Sequence, residues 1–201
     1  MNKSILVVFI IVLFAVIVQP IFAQIKPGLY DGDAFQGEYI FADYLDWLKT
    51  YTRDGGNYTI VIGKNETVNN VVLDYNKKQV TVTLKPSVGE RTITFDGANP
   101  YSTLSLFVIK TGVTFVLEEG IVIKGLQSGN PTLVDVEGGN FIMNGGAVRD
   151  SIAAYVYGGS GVLINGGTFT MNGGVISGNR ARSSDTHFKG GGVYILTELL
   201  L

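Results

Sequence analysis

The sequence predicts an all-β protein, a parallel β-solenoid entered through one amphipathic helix. Three observations carry that reading. A Gly–x–x–Phe motif recurs at offsets of 26 and 28 residues. Short alternating or β-branched runs, separated by Gly, Asn, Pro and Lys, continue upstream of it. Of the 27 glycines, 19 lie in residues 112–201, where a winding chain needs corners.

The chain begins with a targeting pattern. Lys3 is the only charge before residue 26, and Ile5–Val18 is an unbroken apolar run of 14 residues. Gln19 and Pro20 interrupt it, and Ile21, Phe22 and Ala23 follow. A basic start, an apolar middle and a small residue at the cut are the order of a secretory signal peptide. We place residues 1–23 in that signal, with cleavage between Ala23 and Gln24. The alternative is an uncleaved anchor, but the run falls short of the ~20 apolar residues a spanning helix needs. No later stretch is long enough for such a helix, so the mature chain is expected to have no membrane span.

Residues 24–56 form a leader and a helix. Phe41, Tyr44, Leu45, Leu48 and Tyr51 or Thr52 follow helical spacing, with Asp43, Asp46 and Lys49 largely on the other side. Gly55 and Gly56 are expected to stop it. The open end of a solenoid exposes core side chains and strand edges. This helix is expected to cap that end, with Trp47 shielding the first coil.

Residues 57–195 carry the repeats. Upstream strands are expected at Asn57–Ile62, Gln79–Leu84, Thr92–Phe95 and Leu104–Ile109. Three longer segments then align, Gly112–Val122, Gly138–Val148 and Gly166–Ile176, and Gly161–Ile164 recurs as Gly192–Ile195. Phe115, Phe141 and Phe169 share one position. Leu117, Met143 and Met171 lie two residues on, hence on the same face of a strand. Val122, Val148 and Ile176 then start a second inward strand. Stacked coils place equivalent residues ~4.8 Å apart. The phenylalanines should form an inner column, and Asn144 and Asn172 should bond from coil to coil at a corner. At roughly 28 residues per coil, the region holds about five coils.

These motifs carry a resemblance that covers residues 40–195. Gly166–Asn179 (GGTFTMNGGVISGN), Gly190–Ile195 (GGGVYI), and the 104–125 and 45–62 stretches resemble the secreted right-handed parallel β-helix repeat proteins of host-associated bacteria. These include large polymorphic sets of adhesin-like surface proteins. The resemblance implies right-handed winding, an extracellular or cell-surface location and an adhesive or interaction role. Fold alone does not give activity. Residues 196–201 depart from the pattern: they read as a short apolar cap or as the interruption of a longer solenoid, and we favour interruption.

Composition excludes several chemistries. The 201 residues include no Cys, which removes disulfides, thiolate metal sites and thiol nucleophiles. The single His removes His-rich zinc sites. A net charge of -2 gives no reason to expect nucleic acid as partner. No cofactor or metal site is expected.

The alternatives are a β-helix carbohydrate-active enzyme, of lyase or glycosidase type, or a truncated gene remnant, which the abrupt end suggests. The enzyme is weighed by its acids. It needs carboxyls at a set separation across a cleft. The closest acid pairs in the coils are Glu118–Glu119 and Asp135 with Glu137; the latter share a face by spacing, which we read as a solvated outer face. Ser184, Asp185 and His187 sit in one loop, and such adjacency is no evidence for a triad. The glycine turn at Gly158–Ile164 lacks the Asp of calcium-binding repeats. We read the sequons at Asn57 and Asn65 as chance, and we expect no catalytic residue.

Any ligand is expected at the inter-coil loops. Tyr155 and Tyr157 stand in one, and Arg180, Arg182, His187 and Phe188 in another. Their rings suit packing against sugars, so a glycan or a host or matrix surface is the expected partner. The sequence sets no oligomeric state.

Overall fold

The computed structural model describes residues 26–37, 40–96, 105–126, 132–154, 159–182 and 190–196. The signal segment with Ala23 and Gln24 lies outside these residues, as does most of the 196–201 tail.

The chain enters through a hairpin, β1 (Gly28–Asp31) and β2 (Ala34–Gly37), followed by the helix α1 (Phe41–Tyr51). It then winds through successive coils. The first comprises β3 (Gly56–Ile62), β4 (Glu66–Val68) and β5 (Val71–Leu73). The second comprises β6 (Val80–Pro86), β7 (Arg91–Phe95) and β8 (Phe107–Lys110). The third comprises β9 (Val113–Leu117), β10 (Ile121–Lys124) and β11 (Val134–Glu137). The fourth comprises β12 (Asn140–Met143), β13 (Ala147–Arg149), β14 (Ile152–Ala154) and β15 (Val162–Asn165). The last comprises β16 (Thr168–Met171), β17 (Val175–Ser177), β18 (Arg180–Arg182) and β19 (Val193–Ile195).

Equivalent strands pair in parallel and build three sheets. Sheet A stacks β3, β6, β9, β12 and β16; sheet B stacks β4, β7, β10, β13 and β17; sheet C stacks β5, β8, β11, β15 and β19. Sheet A is revisited four times between β3 and β16, so the solenoid makes about four turns where the sequence suggested about five coils. A minor sheet joins β14 to β18, so the stretches after Asp150 and Asn179, expected as loops, are partly regular strand.

The interior is a ladder of matched side chains. Phe115, Phe141 and Phe169 are direct partners in sheet A, with ring centroids 5.7 and 5.2 Å apart and planes within 20°. Upstream in that column the partner is Val82, a smaller residue. Phe107 reaches from sheet C and stacks on Phe115 at 5.0 Å, and Phe41 of α1 meets Phe107 edge-on. Five phenylalanines thus form one spine from the helix to the last coil. Beside it Leu84, Leu117, Met143 and Met171 form a second column.

Two expectations need correction. Val122 does not join Val148 and Ile176. The register aligns Ile93, Ile123, Val148 and Ile176, while Val122 pairs with Ala147. The corner after Leu117 is one residue longer than those after Met143 and Met171, and a one-residue slip turns a strand residue to the other face. Met171 is in its column but 46% exposed, because its coil has no described neighbour beyond it. For the same reason Phe169 and Ile176 are only partly buried.

Tight corners make this register possible. Gly146 and Gly174 have φ of +72° and +89°, a region that favours glycine. A Cβ on Gly174 would also lie 2.6 Å from the carbonyl oxygens of Gly145 and Gly146 in the coil below. Backbone thus stacks on backbone at this corner, leaving no room for a side chain.

The helix and hairpin cover part of the amino end, while β4 and β5 stand at the edges of sheets B and C there. Phe41, Tyr44 and Leu48 join the core, and Trp47 packs edge-on to Tyr58 of β3 at 5.9 Å. Strand β1 pairs antiparallel with β3 and covers the free edge of sheet A. Arg53 grips Asp31 with both guanidinium nitrogens, tying the helix exit to the hairpin. The helix ends at Tyr51, before Gly55. Thr52 takes an extended conformation, and both its N–H and its hydroxyl donate to the Leu48 carbonyl.

Replacing Phe141 by Ala should cost about 3–5 kcal/mol, the usual loss for a fully buried ring. The same change at Phe169 should cost clearly less, since that ring is only partly buried among the described residues. Chemical denaturation of both variants checks this, and equal losses would contradict the end effect.

Candidate functional site

Three features of the outer surface bear on function: ladders of polar side chains, a groove along one corner, and a buried acid on sheet C.

The ladders follow from the register. On sheet A, Thr168 Oγ1 donates to Asn140 Oδ1 at 2.5 Å, and Asn140 Nδ2 donates to Thr114 Oγ1 at 3.3 Å. At the corner between sheets A and B, Asn172 Nδ2 donates to Asn144 Oδ1, and Asn144 Nδ2 donates to Glu118 Oε1, both at 2.9 Å. Glu118 heads this ladder, so it is a corner residue rather than half of an acid pair with Glu119. A fourth amide, Asn179, accepts from the Ser151 N–H at 3.1 Å and donates to the Val148 carbonyl at 2.9 Å. Each bond crosses from one coil to the next, so these amides are held at fixed orientation on the surface.

The groove runs along the same corner and encloses about 860 Å³. Pro86, Gly120, Gly146 and Gly174 line it from four successive coils. Its polar groups come from Glu90, Glu119 and Asn144, its apolar lining from Val122 and Val175. Val122, displaced from the core column, lies beneath this groove and is itself buried. Arg149 of β13 reaches Glu90 at 3.5 Å and holds that carboxylate.

Asp135 departs from the expectation of a solvated pair with Glu137. It lies between Val134 and Val136, both in the core, and points outward, yet it is only 9% exposed. Its ladder partner on the coil below is Val108, also buried, and Ser105 lies against it. One carboxylate oxygen is 3.4 Å from the Ser105 hydroxyl, and the other has no hydrogen-bond partner. Burial, with a smaller push from Glu137, raises its pKa from 3.8 to about 6; the Ser105 hydroxyl and Lys110 oppose the shift. Glu137 is ion-paired with Lys110 on the adjacent strand, and that contact raises the lysine's pKa. A buried acid that titrates near neutrality can hold or release a proton, as catalytic acids do.

Of the residues expected to face a ligand, Arg180 is exposed on β18, and Arg182 lies in the same strand. Tyr155, Tyr157, His187 and Phe188 lie outside the described residues, so the loop surface they define is not assembled here. Among the described residues no group of three or more acidic or His side chains is placed to hold a metal. No described helix is long and apolar enough to cross a membrane.

The sequence reading missed the Ser105–Asp135 contact and the groove. The signal for the first was available: Asp135 falls one coil after Val108, in the repeat that aligns Phe107 with Val134.

The Asp135 carboxylate should make stability depend on pH. Its folded pKa is raised, so the folded state binds the proton more tightly than the unfolded chain does. Stability is therefore fullest below about pH 4 and falls as pH rises through about 6. An amide keeps the shape without the charge. The stability difference between D135N and the parent should shift by about 2–3 kcal/mol in favour of the variant from pH 4 to pH 7. Urea titrations at several pH values check this; a constant difference would mean the acid is solvated.

Compared with family models, curated proteins and solved structures, the chain matches none. The functional reading therefore rests on its own residues and geometry.

Proposed function

We propose that this chain is an exported, non-enzymatic β-helix protein, displayed at or released from the cell surface, with an adhesive or interaction role. One observation carries the reading: the corner groove is continuous across four coils and is bordered by side chains fixed in space. At the ~4.8 Å spacing of stacked strands, four coils extend about 14 Å, enough for several residues of an extended chain. Asn144 offers an amide, Glu119 a carboxylate, and Val175 an apolar patch. Hydroxyl groups on a sugar chain meet such donors and acceptors well, and ring faces pack on apolar side chains. A glycan or a glycan-bearing matrix is thus the partner class we favour. Export follows from the amino-terminal pattern.

A second reading keeps one specific observation in its favour. Asp135 has the raised pKa of a general acid. Its nearest carboxylate, Glu137, is tied to Lys110, and an acid 9% exposed offers a substrate little access. We place it second.

The intact mass of the protein from its own culture should match residues 24–201 and be found in the medium or on the cell surface. The purified protein should bind an oligosaccharide on a glycan array, and N144A together with E119Q should weaken that binding at least tenfold while leaving the fold intact. Hydrolysis or elimination of a polysaccharide, lost in D135N, would replace this proposal by the second reading.

A further inference from the structure

The corner between sheets A and B differs in length from coil to coil. Leu84, Leu117, Met143 and Met171 are ladder partners in sheet A, and Thr92, Val122, Ala147 and Val175 are partners in sheet B. Between these two registers the chain runs through residues 85–91, 118–121, 144–146 and 172–174, which are seven residues, then four, three and three. The extra residues of the second coil have no place in the column that the other corners follow. Among them Pro86, Gly89 and Glu90 line the groove, and a Cβ on Gly120 would meet Pro86 at 2.8 Å. The long corner is thus a built end to the groove, and short, repeating corners follow it.

Two rows repeat along that run. One is the outward row of sheet B, with Val122 buried, Ala147 half-buried and Val175 exposed. The other is the ladder Glu118–Asn144–Asn172, its amides fixed by their neighbours. Both rows step once per coil, at ~4.8 Å.

We infer, resting on the glycan reading above, that the groove takes a neutral, linear chain of pyranose rings along the solenoid axis, one ring per coil, with one chain end against the long corner at Pro86. An extended chain of linked pyranose rings advances by close to one strand spacing per ring. Each ring then meets an equivalent corner, its C–H face over the apolar row and its hydroxyls at the ladder. An extended peptide repeats its same-face side chains every ~6.6 Å, so it loses this register at the second coil. Charge selects among glycans. Among the described residues, the groove lining has two carboxylates, Glu90 and Glu119, and no Lys or Arg. Arg149 holds Glu90, which leaves Glu119 to repel a uronate or a sulfate ester.

NMR titrations with cello-oligosaccharides and chito-oligosaccharides of one, two and three rings test this, beside oligogalacturonates of the same lengths. In at least one neutral series each added ring should raise affinity about fivefold, roughly what one net hydrogen bond contributes. The oligogalacturonates should bind more weakly. The amide signals of residues 118–122 should respond to one ring, and those of 144–147 and 174–175 should join as the chain lengthens. A147R sets a long side chain across the fourth coil. It should cost the three-ring oligomer at least tenfold and the single sugar far less. Binding that is as tight for one ring as for three, is absent from both neutral series, or ignores A147R overturns this inference, and glycans bound on the array would still support the wider reading. An array with no bound glycan removes both.

Discussion

Everything in this fold depends on coils that return to the same register, and the interaction that rewards that return is the stacking of phenylalanine on phenylalanine. Phe115, Phe141 and Phe169 occupy one ladder position, with rings nearly parallel and centroids 5.2–5.7 Å apart. Offset stacking at such distances contributes beyond simple burial. It also punishes error, since a slip by one residue turns each ring outward. Once the rings are aligned, the adjacent positions are aligned too. The Leu84–Leu117–Met143 column, the Thr114–Asn140–Thr168 ladder and the Glu118–Asn144–Asn172 ladder all follow from that registration.

The corners must permit what the column demands. Between Met143 and Val148, and again between Met171 and Ile176, the chain turns from sheet A to sheet B through a glycine pair. Gly174 sits so close to the Gly145 and Gly146 carbonyls that any side chain would push the coils apart. Separating the coils at a corner would break the amide ladder beside it and loosen the ring stack inside. Side-chain packing and backbone geometry are thus one constraint, which is why the glycine pair and the phenylalanine recur together.

Much of this was legible in the sequence because a repeat makes spacing equal to contact. Phe141 and Phe169, 28 residues apart, could be placed against each other from the repeat alone. The same logic found Asn144 over Asn172. It failed at Val122, where the four residues Glu118 to Ile121 span the corner that the three residues Asn144 to Gly146 span in the next coil, and a gapless alignment carried the error into the next strand. It failed at Met171 because position in a repeat gives no information about whether another coil lies above. Asp135 was misread for a third reason: alternation assigns a face, and it does not say what covers that face. The entry hairpin was missed because β1 and β2 are four residues each and lie outside the repeat.

The proposed binding role draws on how the polar groups of the outer surface are held. Catalysis needs groups that change charge or position while a substrate reacts. The amides of Asn140 and Asn144 are instead locked between neighbours on both sides, each donating to one coil and accepting from the next. Locked groups have little conformational freedom left to lose when a ligand arrives, and that lowers the entropic cost of association. They are also arranged along an axis, so a ligand with its own linear repeat meets several at once. Asp135 is the exception, a carboxylate whose burial works against the fold at neutral pH, with one oxygen unpartnered. Its place between Val134 and Val136 is fixed by the register of sheet C, which seats both valines in the core and leaves the carboxylate over Val108.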